Sequence, residues 1–417
     1  MSSHEVPDGS TQAGLNVVLA GLCVTEIVSW GILYYAFPIL SPRILGDTGW
    51  SAGWTTAAFS AALVVAALVG VPVGRLLDRR GPRLVMTSGS ALAVLSVLLI
   101  AWSPHLVVFA AGWLLAGVAM SGVLYQPAFA ALVRWFGHRR LQALTVLTLV
   151  AGLASTVFAP LTAALSDILS WRQVYLVLAV ALAAVTIPIH ALALRRPWPA
   201  ETHGGADTDV GAGHHVRSVV RSAPFGFLLA GLTLGSLAMY AVLINLVPLL
   251  TERQMDLGLA AWVLGLGGVG QVAGRLFYSR IADRLGIRIR TLLIFGLAAL
   301  TTAGLALVPG PVSLLILIAF LAGIARGIAT LLQATAVPDR WGSRSYGRIN
   351  GILAAPITIA GAIAPWFGAT LAGITGSYAR TFLALTAIAA VAVVLLAFSV
   401  PKQQKASRLL DLADAAP

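Results

Sequence analysis

The chain has 417 residues, 59% of them hydrophobic and only 10% charged, whereas a soluble domain carries about 25% charged residues; that deficit excludes an ordinary soluble enzyme. The formal net charge is +12, yet the Arg residues fall in short clusters between long apolar runs and not on one soluble basic face, so membrane topology explains them and nucleic-acid binding does not. Cys23 is the single cysteine, which excludes an intramolecular disulfide and a metal site built from Cys.

In chain order, residues 1–15 hold His4, Glu5 and Asp8 but no Lys or Arg. The basic start of a cleavable signal is missing, and the first apolar run is expected to stay as a helix. Runs of the roughly 20 residues that a spanning helix needs are expected near 16–40, 52–77, 84–102, 106–133, 141–165, 171–194, 224–250, 259–281, 289–308, 312–335, 346–372 and 378–400. Several carry Pro, which membrane helices tolerate because neighbours satisfy the backbone. A barrel reading fails, because barrel strands alternate polar with apolar over about 10 residues. Between the sixth and seventh runs lies a polar stretch, 197–223, rich in Gly and His. His203, His214 and His215 have no second ligand cluster, so the stretch reads as a flexible linker and not as a metal site. The expected fold is an all-α integral membrane protein of twelve transmembrane helices. It comprises a tail (1–15), a six-helix bundle (16–196), the linker (197–223), a second bundle (224–400) and a tail (401–417).

The basic residues give an orientation. With the N-terminus in the cytoplasm, the outside loops hold only Arg43, Arg172, Arg253 and Arg380, and Arg275 and Arg326 lie within spans; the other Lys and Arg residues are all inside. Both termini and the linker are thus expected to be cytoplasmic.

The halves repeat at an offset of about 205–210 residues, the parallel duplication found in secondary transporters. LAGL at 19–22 matches LAGL at 229–232, FPIL at 37–40 matches VPLL at 247–250, and LAGVAM at 115–120 matches LAGIAR at 321–326. RWFG at 134–137 resembles RWGS at 340–343. The clearest repeat is GRLLDRRGPR at 74–83 with SRIADRLGIR at 279–288. Both copies resemble the major facilitator superfamily signature G-x-L-x-D-R-x-G-R. The resemblance implies a conformational latch formed by Gly74, Asp78, Arg79, Gly81 and Arg83, and in the second copy by Asp283, Arg284, Gly286 and Arg288. Gly74 is expected to allow close helix contact. YYAFP at 34–38, RWFGHRR at 134–140, WRQVY at 171–175 and GRLFYSRIADR at 274–284 further resemble the monocarboxylate transporter and oxalate–formate antiporter branch. That likeness implies that Arg275 binds a substrate carboxylate. Ile39 stands where the branch has a Lys, and Gln271 where it has a proton-linked Asp.

A charge near the bilayer centre costs several kcal/mol and marks function by default. Glu26 aligns with Ser236, Arg326 with Met120 and Arg275 with Gly70, so each charge is private to one half, as a substrate or coupling site requires. Glu26 lies roughly 15 Å into the first helix at about 1.5 Å per residue. It is a candidate proton carrier, with a structural ion pair to Arg326 as the rival reading. Arg326 suits a bidentate grip on a carboxylate; its rivals are that same pair and snorkelling to the surface, which also rivals function for Arg275. Tyr34, Tyr125, Gln126, Asn245 and Gln271 are candidate substrate contacts, each with interhelical hydrogen bonding as its plainer reading. Trp30, Trp50, Trp54, Trp102 and Trp171 read as interface or packing residues.

Gly265, Gly267 and Gly270 spell G-x-G-x-x-G but lack the strand and βαβ unit that a dinucleotide site needs. No Walker A motif appears, and no catalytic set, cofactor or metal is expected. The expected activity is secondary transport by alternating access of a small organic solute, a carboxylate or other organic anion, coupled to protons. The alternative is proton-driven efflux of drugs or xenobiotics. The tail after residue 400 is too short for the signalling domain of a receptor. Composition rich in Ala and Gly and poor in Lys suggests a bacterial plasma membrane. The expected partners are the small-molecule substrate, protons and the lipid bilayer, with no nucleic acid, and the expected functional form is a monomer.

Overall fold

The computed structural model describes residues 9–198, 216–342 and 346–401; the side chains of Asp78 and Asp283 lie outside that description. Twelve helices among the described residues are long and apolar enough to cross a membrane. They are α1 (Gly14–Thr48), α2 (Ala52–Leu77), α3 (Pro82–Ala101), α4 (Leu106–Phe136), α5 (Gln142–Ile168), α6 (Trp171–Ala193), α7 (Ala223–Glu252), α8 (Leu257–Tyr278), α9 (Ile287–Leu307), α10 (Val312–Thr335), α11 (Ile349–Thr375) and α12 (Tyr378–Ala397).

Local chemistry sets the ends. Ser51, Ser170, Ser222 and Ser377 cap α2, α6, α7 and α12 by accepting a backbone N–H of the first turn, which satisfies a donor that the helix itself cannot. At Ser170 the cap is reciprocal, with Gln173 returning to the Ser170 N–H at 2.9 Å. Gly49 closes α1 at φ 69° with its N–H on the Leu45 carbonyl, a left-handed position that favours glycine.

Helix α1 outruns its expected end at residue 40 by continuing through Pro42 to Thr48. The polar residues that broke the apolar pattern have partners: Arg43 meets Asp167 at 2.9 Å, and Asp47 receives the Trp171 indole at 2.8 Å and Arg172 at 2.5 Å. Inside α1, Gly31–Tyr35 form a π-helical turn in which all five residues are buried. Pro38 follows and has no N–H to return to Tyr34, the usual setting for an irregular turn. Helix α4 breaks at Leu124, whose backbone is extended. The cause is Pro127, whose ring cannot tolerate the Val123 carbonyl of a continuous helix.

Contacts divide the chain into two compact units. One holds α1 to α6 with residues 254–268; the other holds α7, the rest of α8, and α9 to α12. In the first, α4 packs on α2 and α3, and α6 on α1 and α3. In the second, α10 packs on α9, and α12 on α7 and α9. The seam of α8 on α10 completes the correspondence: a Cβ at Gly270 would lie 2.1 Å from the Phe320 carbonyl oxygen, and one at Gly327 would lie 2.0 Å from that of Gln271. Lipid tails are as apolar as Leu, so such close backbone approach is what holds membrane helices together.

Both ends of each unit are tied down. At the end away from the Arg-rich loops, Asp47 binds the start of α6 while Arg172 donates to the Ser103 carbonyl past α3. In the second unit Glu252 accepts from Ser377 Oγ and the Tyr378 N–H, both at 2.7 Å, and Arg253 donates to the Val308 carbonyl just past α9 and to the Ala306 carbonyl in its last turn, at 2.7 and 2.8 Å. At the basic end, Arg134 stacks on Trp198 at 4.4 Å, and the Trp135 indole donates to the Pro197 carbonyl at 3.1 Å. The matching Arg340, 3% exposed, donates to the Ser399 carbonyl and to Thr291 Oγ1, each at 3.1 Å. Burial pulls the Arg340 guanidinium down to about 10, which leaves it charged at neutral pH. Arg290 beside it pairs with Asp339.

Candidate functional site

In the first unit the site begins with Glu26 on α1. Its side chain is 0% exposed, and among the described residues neither carboxylate oxygen has a hydrogen-bond partner of good geometry. An ion pair would engage at least one of them. Among the described residues Ser29 Oγ and the Trp30 indole nitrogen, on the next turn, are likewise buried with no hydrogen bond of good geometry, and the indole stands beside the Glu26 carboxyl group. Buried polar groups left unpaired in a membrane cost several kcal/mol each, so this cluster is a feature that packing alone does not account for. The Trp30 ring contacts Tyr34 at 5.4 Å and Tyr125 at 5.1 Å, and Tyr125 stacks on Phe129 at 5.0 Å. The π-helical turn turns Tyr34 and Tyr35 inward together. Gly31, where a Cβ would lie 2.2 Å from the Phe158 ring, lets α5 close against that turn.

Gln126 is exposed and rests on Gly70, where a Cβ would come within 2.5 Å of its Oε1. It lines a crevice of about 430 Å³ between α2 and α4, together with Gly74, Arg75, Ser121 and Pro127.

In the second unit the site centres on Arg326 of α10, 8% exposed. Its Nε donates to Gln271 Oε1 of α8 at 2.7 Å, while Nη2 is buried with no partner among the described residues. Two turns on, Gln333 donates to Ser236 Oγ of α7 at 3.0 Å. Arg275, one turn beyond Gln271, is partly exposed. Asn245, 1% exposed, donates to the Ala241 carbonyl of its own helix at 2.8 Å and fills the space above Gly368 of α11. That placement gives it a packing role.

Among the described residues no group of three or more His, Cys, Asp or Glu side chains could hold a metal ion; His203, His214 and His215 lie outside those residues.

A family model described as the Major Facilitator Superfamily matches residues 22–341. The chain belongs to that superfamily. It is similar to monocarboxylate transporter 13 of Rattus norvegicus, 27% identical over 393 residues that cover 91% of this chain and 86% of the relative. It is also similar to monocarboxylate transporter 11 of Homo sapiens, 27% identical over 90% of this chain and 81% of that one. Among solved structures, a bacterial homologue of the human lysosomal transporter Spinster, inward-facing and unoccupied, has a TM-score of 0.74 at 14% identity, covering 92% of this chain and 96% of its own. The nucleoside transporter NupG has a TM-score of 0.72 at 13% identity, with 91% and 98% covered. At such identities the structures show the fold alone. The chain is therefore a transporter of the major facilitator superfamily and not an enzyme.

The facilitator signature now has a local explanation in part. Gly81, at φ 76°, makes the sharp turn between α2 and α3 and packs against Trp198, whereas its counterpart Gly286 sits at φ −62° and needs no glycine conformation. Arg83 donates to the Ala191 carbonyl of α6 at 2.9 Å. Arg79, Arg284 and Arg288 are exposed. Gly74 does not make the close contact expected of it: a Cβ there would meet nothing within 4 Å, because at this level of α2 the approach to α4 is made by Gly70 with Gln126. Trp30 was the residue sequence reasoning undervalued. It does pack, as expected, but in the cluster beside Glu26 and not at an interface. The signal was its spacing, one turn after an intramembrane carboxyl group and just before Gly31.

Proposed function

We propose that this transporter moves a small organic anion, preferably a carboxylate, by alternating access and with proton coupling. The observation that supports an anion is Arg326, a buried guanidinium in a spanning helix with one nitrogen lacking a partner among the described residues. An uncompensated charge in a membrane costs several kcal/mol, and a solute carboxylate supplies the compensation through paired hydrogen bonds. The names of the monocarboxylate transporter relatives agree with this class. Arg275 serves as a second anion ligand by resemblance. Glu26 carries the proton, since it can enter and leave the interior neutral. Tyr34, Tyr125 and Gln126 form the solute-facing wall of the first unit, and the two signature loops act as the conformational latch. The Arg-rich loops support cytoplasmic termini and a cytoplasmic linker, and composition supports a bacterial plasma membrane. The working form is a monomer.

The aromatic contacts around Trp30 favour a second reading, proton-driven efflux of a hydrophobic or cationic solute, because aromatic faces attract both. Proteoliposomes with an imposed pH gradient separate the two. The first reading expects gradient-driven accumulation of radiolabelled short-chain carboxylates, lost in Arg326→Ala. Carboxylate transport that survives in both Arg326→Ala and Arg275→Ala overturns it. Gradient-driven extrusion of a hydrophobic cation by the parent chain selects the second.

A further inference from the structure

The Arg326–Gln271 pair carries more than a ligand list. Gln271 is 8% exposed, and its Oε1 takes the Nε proton of Arg326 at 2.7 Å. The two helices are fixed against each other at this level by Gly270, Gly274 and Gly327, each of which would bring a Cβ within 2.5 Å of a backbone oxygen on the facing helix. The amide therefore holds the guanidinium by its side edge, at a defined angle, and leaves the end edge with the buried, unpartnered Nη2.

Gln271 does this without charge. The spanning helices of the second unit contain one carboxylate, Glu252, and it is bound to Ser377 and Tyr378 at the far end of α7. The other titratable groups on elements packed against the pair are Arg275 and Tyr278 on α8, Arg288 and Arg290 on α9, and Tyr240 on α7. None is an acid. The positive charge of Arg326 is oriented from within its unit but not cancelled there.

We infer that Gln271 is a positioning residue that makes Arg326 an anion site, by fixing the guanidinium while leaving its charge uncompensated. The inference rests on the anion reading given above and changes the part played by Gln271, from a contact of the solute to a determinant of its charge. A carboxylate at 271 would accept the same hydrogen bond and also supply the countercharge, so an anionic solute would compete with an internal partner.

The test uses the full chain in proteoliposomes, with exchange of a radiolabelled short-chain carboxylate at equal pH on both sides, each variant expressed as a ratio to the parent at the same pH. Gln271→Glu is expected to lose about 100-fold in transport efficiency at neutral pH, the order of effect of mispairing a buried charge. It should recover on acidification, when a protonated Glu imitates the amide. Gln271→Met, which loses only the oriented hydrogen bond to a charged group, is expected to fall about tenfold at every pH. Parent-like transport by Gln271→Glu at neutral pH overturns the inference, as does an equal, pH-independent fall in both variants. If Arg326→Ala itself leaves carboxylate exchange intact, the anion reading fails. If Arg326→Ala abolishes exchange while Gln271→Glu is silent, that reading stands and only the role of Gln271 is lost.

Discussion

The two units repeat one packing scheme and differ in where they place charge. In both, the fourth helix of the six seats on the second and third, and the sixth on the first and third. The first unit keeps a carboxyl group, Glu26, in its interior with no ion-pair partner among the described residues; the second keeps a guanidinium, Arg326, held by a neutral amide. Where the second has Arg326 the first has Met120, and where the first has Glu26 the second has Ser236, which binds Gln333. Duplicated scaffold and unduplicated charge are separable: the first explains how the chain folds, and the second carries the proposed anion and proton chemistry.

Gly327→Val tests the scaffold side most severely. A Cβ there would lie 2.0 Å from the Gln271 carbonyl oxygen, so α8 and α10 must part, and the expected outcome is loss of monodisperse protein in detergent chromatography. Gly74→Val, where a Cβ meets open space, should leave yield and the melting temperature unchanged. Next come the private charges. Arg326→Ala should abolish carboxylate transport, a loss of about 100-fold or more if the guanidinium is the main anion ligand. Glu26→Gln should abolish accumulation driven by a pH gradient while leaving exchange at equal pH within about threefold of the parent, as removal of a proton carrier but not of a ligand requires. Exchange lost as severely as in Arg326→Ala would mean that both charges serve the solute. A smaller effect separates the basic ends. Arg340→Ala unpairs buried groups worth about 1–3 kcal/mol each, whereas the partly exposed Arg134–Trp198 stack contributes about 0.5–1 kcal/mol. Thermal unfolding should therefore show the larger drop for Arg340→Ala. Equal drops would mean that the two RW sequences do the same work in both units.

Most of the scaffold was legible because its signals are long. Spans of about 20 residues average out local irregularity, and the paired motifs at 74–83 and 279–288 tie the halves together over the whole chain. Glu26 and Arg326 were also legible, since charges in apolar runs stand out. What escaped was set by contacts between distant segments. The end of α1 depended on Asp167 and Arg172, which lie about 125 residues further along and make a polar stretch affordable. The π-helical turn depended on Pro38 and on the Phe158 ring facing Gly31, neither of which has a periodic signature. Gln271 was read as a ligand because a sequence shows which residue is polar but not which hydrogen bond it has already made.

The corner where α1 meets α6 and its counterpart where α7 meets α12 are closed by an acid and an arginine in both units, but the arginine comes from α6 in one (Arg172) and from just past α7 in the other (Arg253). Each arginine reaches a carbonyl just beyond the third helix of its six, Ser103 in one and Val308 in the other. After a gene has doubled, such a junction can be inherited as a task while the residue that performs it changes address. Both copies keep arginines at both addresses, Arg43 and Arg172 in one and Arg253 and Arg380 in the other, but the one that reaches across to the third helix differs. Superimposing the copies residue by residue would score these arginines as unrelated, although they close the same joint.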